Sequence, residues 1–174
     1  QMCIRDRTKP YCLDSSGYAG SNVDISSLSS YSDIPLDHPM SVTVPGAVRG
    51  WFAMHERFGK LETSQLFNQA IEICSQGFKV SSELHQSLKS HEETLKIQES
   101  GKELYPSGKV PKVGDTIKRT MLAKTLESIS FKGPDYFYKG EVNEAMSKAL
   151  LNTITTDDIS SFQAQWIEPL STEI

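Results

Sequence analysis

The sequence predicts a mainly α-helical chain with short extended segments at both ends. Three observations predict it. From Ala47 to Phe162 the apolar residues recur at steps of three and four, the period of one helical face. Gly59, Gly77 and the Gly133-Pro134 pair stand where helices of ordinary length would stop. Lys9–Leu13 and Trp166–Leu170 lack that period and read as extended, the second as the start of a strand.

Each element follows in order. Asp14-Ser15-Ser16-Gly17 has the small polar residues of a turn. Residues 19–40, rich in Ser, Asp and Pro, form a long surface loop with one short helix near Asp24–Leu28. Pro45 is placed to open the first long helix, where a missing N–H costs nothing. Ala47, Val48, Trp51, Phe52, His55 and Phe58 give its face, and Gly59 stops it. Thr63 is expected to cap the second helix, with Leu66, Phe67, Ala70, Ile71 and Cys74 on one side. Ser81 caps a third, carrying Leu84, Leu88, His91 and Leu95. Glu99–Gly114, broken by glycines and prolines, is a loop. Asp115 is expected to cap a helix whose face is Ile117, Met121, Leu122, Leu126 and Ile129. Pro134 opens another, with Phe137, Val142, Ala145, Met146 and Ala149 as its apolar stripe. Thr155 and Asp158 have capping-box spacing ahead of a short helix through Ile159 and Phe162.

The 174 residues suffice for a real core. A hydrophobic share of 37% and a charged share of 23% suit an ordinary soluble protein rather than a disordered one. The net charge is −4 and the basic residues are scattered, so nucleic acid is not an expected partner. No apolar run approaches the roughly 20 residues of a membrane span. Met2–Arg7, read back through the genetic code, fits ATG TGT ATA AGA GAC AGR, which resembles a transposon mosaic-end adapter translated in one frame. Residues 1–7 are therefore set aside from fold reasoning as a sequencing-adapter scar. This removes Arg5, Asp6, Arg7 and Cys3, leaving Cys12 and Cys74 with no metal or redox spacing. Cys74, on an apolar helical face, is expected to be a buried free thiol.

Residue chemistry alone offers little. His85 and His91 are six apart, not the three or four that puts two ligands on one helical face, and no metal is implied. His55 reads as a packed, hydrogen-bonded side chain. No nucleophile elbow, phosphate loop or zinc-protease motif occurs. Glu92-Glu93 and Asp157-Asp158 read as solvated surface charges, since adjacent residues do not share a helical face.

Five segments carry a resemblance. They are Val44-Pro45-Gly46-Ala47-Val48-Arg49-Gly50 with Phe58-Gly59-Lys60-Leu61; Gly77-Phe78-Lys79-Val80; Gly114-Asp115 with Leu122-Ala123-Lys124-Thr125-Leu126-Glu127; Gly133-Pro134-Asp135-Tyr136-Phe137-Tyr138-Lys139-Gly140; and Thr155-Thr156-Asp157-Asp158-Ile159. In this order and spacing, over about residues 41–170, the chain resembles the large subunit of the γ-glutamyltranspeptidase family. The resemblance implies a part of the αββα N-terminal-nucleophile hydrolase fold, two sheets between helical layers. It implies a precursor that cuts itself, and a Thr at the new N-terminus of the small subunit that attacks a γ-glutamyl amide. That Thr is expected beyond Ile174, so no catalytic residue is expected in this chain. Residues 8–40 would be an extended segment and loop of the large subunit, and 41–174 its helical region, stopping before the small subunit.

One departure bears on substrate. A family segment like Leu-Asp-x-x-Gly-Arg-Ala-Pro carries an Arg that holds the substrate α-carboxylate. The matching stretch here is Leu13-Asp14-Ser15-Ser16-Gly17-Tyr18-Ala19-Gly20, with Tyr18 at the Arg position. Tyr offers one neutral hydroxyl where Arg offers a charged fork. Tyr18 is thus the candidate substrate-binding residue. It points to a different acyl group, for example a glutaryl-like one, unless another Arg substitutes or the register is one residue off. A second departure, Leu151-Asn152 where the family usually shows Gly-Gly, reads as loop variation.

The expected function is then cleavage of γ-glutamyl amides such as glutathione. The alternatives are a glutaryl- or cephalosporin-type acylase of the same superfamily, and a non-catalytic helical scaffold. The implied partners are the remainder of the precursor and a small amide substrate. No cofactor is implied. Family members are often periplasmic or extracellular.

Overall fold

The computed structural model describes residues 2–4, 10–29, 31–35 and 38–170. The chain divides into two compact units, residues 1–60 with 132–174, and residues 61–131.

The first unit is built on a three-stranded antiparallel sheet. β1 (Met2–Ile4) and β5 (Gln165–Ile167) flank β2 (Tyr11–Asp14). The register sets Cys3 opposite Cys12, and Leu13 opposite Trp166. Cys12 and Leu13 are buried. The last strand is thus short and paired with the first extended segment predicted. The loop that follows holds a one-turn 3-10 helix at Ile25–Leu28, capped by the Asp24 carboxylate on Ser26 N.

Helix α1 (Ala47–Phe58) buries Val48 and Gly50. Pro45 is not its first residue: Gly46 is the N-cap, and the Pro45 carbonyl accepts the Tyr138 hydroxyl at 2.7 Å. The close approach of Ser15 explains Gly46, since a Cβ there would lie 1.9 Å from the Ser15 carbonyl oxygen.

In the second unit, α2 (Thr63–Gln76) is followed by β3 (Phe78–Lys79), α3 (Ser82–Ser90), α4 (Glu92–Lys96), a 3-10 turn at Glu99–Glu103, β4 (Thr116–Ile117) and α5 (Thr120–Lys132). Thr63 is not the α2 cap; Glu62 holds that position, and the Thr63 hydroxyl donates to the Ser130 carbonyl. Cys74 is buried and free, as expected. Ser81 caps α3 by accepting Leu84 N at 3.1 Å. Val80, Leu88, Tyr105 and Ile117 form the core of this unit.

Asp115 does not cap a helix. The short β3–β4 ladder captures its neighbours: Val80 N donates to the Asp115 carbonyl, and Ile117 is fully buried in the strand. Glu103 serves the later helix instead, accepting Met121 N at 2.8 Å. The buried side of α5 is Ala123, Ile129 and Ser130, while Met121 and Leu122 are exposed.

Back in the first unit, α6 (Asp135–Tyr138), α7 (Glu141–Ala149) and α8 (Thr156–Ser161) pack in sequence. The apolar stripe expected on α7 is not its buried side; Asn143 and Ser147 are. Their side chains are paired with backbone carbonyls. Asn143 Nδ2 donates to the Tyr138 and Thr156 carbonyls, both at 2.9 Å, and Ser147 Oγ donates to the Ile154 carbonyl at 2.8 Å. Leu151 and Asn152 turn the chain out of α7 with φ of 52° and 59°. They are therefore more than loop variation, because that left-handed conformation favours glycine.

Tyr138 anchors the unit. Its ring is fully buried and stacks on Phe162 with centroids 6.2 Å apart. Its hydroxyl also accepts Arg49 N at 3.1 Å. Burial raises its pKa above the ordinary phenol value. Among the described residues no helix is long and apolar enough to cross a membrane.

Candidate functional site

The site is assembled where the end of β2 meets the end of α8. Beyond β2 the chain comes to run beside residues 43 and 44. Val44 N donates to the Tyr18 carbonyl at 3.0 Å, and Ala19 bridges Thr43. Gly17 permits this approach: a Cβ there would fall 1.7 Å from the Val44 oxygen. Ser15 Oγ donates to the Gly46 carbonyl at 2.7 Å, tying the same stretch to the entry of α1.

Asp14, Ser16, Tyr18, Ser161, Phe162, Gln163 and Gln165 line an open hollow at this junction. Tyr18, the residue singled out from sequence, lies on it and is half exposed. Its ring leans on Phe162 with centroids 5.9 Å apart. Its hydroxyl donates to the Asp158 carbonyl oxygen at 2.8 Å and lies 3.2 Å from Ser161 Oγ. Asp14 accepts Ser16 N at 2.9 Å. The Ser16 amide and hydroxyl beside Asp14 hold its carboxyl below the usual carboxylate range.

The hollow is fixed by a second set of bonds behind it. Thr155 and Asp158 form the full capping box expected, with Asp158 Oδ2 accepting Thr155 N at 2.8 Å. The same oxygen accepts Ser21 N and Ser21 Oγ, each at 2.9 Å. Burial raises the pKa of Asp158, but the hydrogen bonds from Ser21 and Thr155 outweigh it and the net shift is downward. Asp158 is therefore not the solvated surface charge the sequence suggested. Glu92 does lie at the surface, paired with Lys96 at 3.1 Å.

The other candidates do not join this site. His38 Nδ1 accepts Met40 N, and His85 and His91 each use Nδ1 on a backbone carbonyl. Among the described residues no group of three or more His, Cys, Asp or Glu could hold a metal ion. Sequence reasoning missed Ser161, Gln163 and Gln165, which carry no motif; they reach Tyr18 only because β5 pairs with β2.

Comparisons extend these observations. The sequence model of the family described as gamma-glutamyltranspeptidase matches residues 1–174. The glutathione hydrolase proenzyme of Pseudomonas aeruginosa is 35% identical over 132 residues, which are 73% of this chain and 23% of that protein. A crystal structure of the γ-glutamyltranspeptidase of Pseudomonas nitroreducens, complexed with L-DON, superposes on 97% of this chain and 52% of its own, with a TM-score of 0.82 and 33% identity. The cephalosporin acylase of Bacillus halodurans shares the fold, with a TM-score of 0.85 over 98% of this chain and 34% of its own, at 23% identity. The chain spans less than a third of the length of the curated relatives it matches. Its helical units thus belong to the N-terminal-nucleophile hydrolase fold.

Proposed function

We propose a function from one premise: this chain belongs to the γ-glutamyltranspeptidase family. It is a segment of the large subunit of a self-processing enzyme that cleaves γ-glutamyl amides such as glutathione. The observation that carries this is the family match along the whole chain. The nucleophile is a Thr in the small subunit, outside this segment. Its hydroxyl attacks the amide carbonyl while its own α-amine takes the proton. The acyl group then passes to water or to an amine. This segment contributes the Tyr18 hollow, which receives the end of the acyl group remote from the scissile bond. Exposed Leu66, Met121 and Phe131 are apolar surface that the remainder of the precursor covers.

The full-length protein should separate into two polypeptides on a denaturing gel and release p-nitroaniline from γ-glutamyl-p-nitroanilide. The isolated chain should do neither. A full-length protein that stays uncut and hydrolyses no amide would favour a non-catalytic scaffold.

Tyr18 supports a second reading, an acylase of the same superfamily with another acyl preference. A hydrogen bond to a charged group contributes about 1.5–3 kcal/mol, roughly 10- to 150-fold in affinity. A neutral hydroxyl already engaged by Asp158 does not replace it.

A further inference from the structure

We propose that the Tyr18 hollow selects an acyl group that ends in an ammonium and carries no carboxylate. The inference rests on the proposed function above, in which this hollow receives the acyl end, and it names the chemistry of that end.

A carboxylate needs donors or a positive charge. Of the seven residues lining the hollow, none is Lys, Arg or His. Tyr18 has a single proton to donate, and it lies on the Asp158 carbonyl oxygen. The Ser161 hydroxyl is turned to that same carbonyl, at 3.3 Å, with Tyr18 Oη beside it. Both hydroxyl protons therefore point away from a ligand, and what the pair offers outward is lone pairs. Asp14 supplies the one formal charge on the lining, and it is negative. Ser16 engages it through its amide and hydroxyl, and a carboxylate, with about four acceptor sites, can still accept from a ligand. Gln163 and Gln165 can donate or accept, and do not alter the balance.

This balance also rules on the choice of acyl groups. A γ-glutamyl group has an ammonium and a carboxylate at its far end. A glutaryl group keeps the carboxylate and loses the ammonium, which is the wrong half to keep beside Asp14. The 4-aminobutanoyl group keeps the ammonium and loses the carboxylate. The hollow fits that third pattern.

Four p-nitroanilides separate these cases: γ-glutamyl, glutaryl, 4-aminobutanoyl and butanoyl. With the full-length processed protein, kcat/KM for 4-aminobutanoyl should exceed that for γ-glutamyl and for glutaryl by ten-fold or more, with butanoyl between. Asp14→Asn preserves the acceptor for Ser16 N and should reduce the ratio of 4-aminobutanoyl to butanoyl turnover about ten-fold. Faster turnover of γ-glutamyl than of 4-aminobutanoyl, or of glutaryl than of butanoyl, would overturn the inference while leaving the family function standing. A protein that is not processed and cleaves none of the four would overturn both.

Discussion

Asp158 and Ser21, 137 positions apart, are joined by two hydrogen bonds of 2.9 Å, from the Ser21 amide and hydroxyl to one carboxylate oxygen. The same oxygen completes the α8 capping box. One carboxylate thus fixes the helix that presents the Asp158 carbonyl to Tyr18 and the loop that follows Tyr18.

That arrangement has a defined pH dependence. The folded pKa of Asp158 lies below its unfolded value of about 3.9. Its stabilisation is complete above the unfolded value and is lost as pH falls through the folded one. Asp158→Asn keeps an acceptor but removes the charge, and should lower stability by about 1–2 kcal/mol at pH 7. Urea unfolding in steps from pH 7 downward checks this: the gap between wild type and variant should narrow as pH falls below the unfolded value of Asp158. A gap that does not change with pH would assign the loss to geometry rather than charge.

Tyr138→Phe tests the anchor of the first unit. The ring keeps its stack on Phe162, but the Pro45 carbonyl and Arg49 N lose their partner. Leaving buried polar groups unpaired costs about 1–3 kcal/mol. The urea midpoint should fall with little change in slope. An unchanged midpoint would show that water replaces the hydroxyl.

Local chemistry was legible in the sequence and remote chemistry was not. Ser81 and the Thr155–Asp158 box could be placed because a cap bonds within three residues of itself. Asp115 has the same local signature, yet strand pairing between β3 and β4 takes its segment, and no short-range pattern announces that. On α7 the apolar period misled, because Asn143 and Ser147 answer to the carbonyls of Thr156 and Ile154 further along the chain. Tyr18 stood out through a family motif, but its partners lie 140 and 143 positions away. The hollow therefore became visible only with the fold.

Leu151 offers a stabilising change. It holds φ of 52° and is largely exposed, so its side chain contributes little packing. A β-carbon in this conformation costs about 1–2 kcal/mol, partly offset by glycine's greater freedom when unfolded. Leu151→Gly should raise stability by about 0.5–1 kcal/mol, a Tm gain of about 1–4 °C. Leu151→Ala, which keeps the β-carbon, should give no gain. Equal behaviour of the two variants would locate the effect in the leucine side chain instead.

Tyr18→Arg tests the specificity argument at its centre. A guanidinium at this position still has a donor for the Asp158 carbonyl and has further N–H groups to offer a ligand. It also brings a positive charge beside Asp14, on a lining that otherwise has none. Both changes favour a carboxylate and oppose an ammonium. In the full-length processed protein, kcat/KM for γ-glutamyl-p-nitroanilide should rise by about ten-fold or more, within the range a charged hydrogen bond supplies. Turnover of 4-aminobutanoyl-p-nitroanilide should fall in the same variant. Tyr18→Phe serves as the control: it removes the bond to Asp158 without adding charge, and should leave the γ-glutamyl substrate no better used. If Tyr18→Arg gives no gain on γ-glutamyl, the carboxylate is held elsewhere in the protein, and Tyr18 does not set the choice of acyl group.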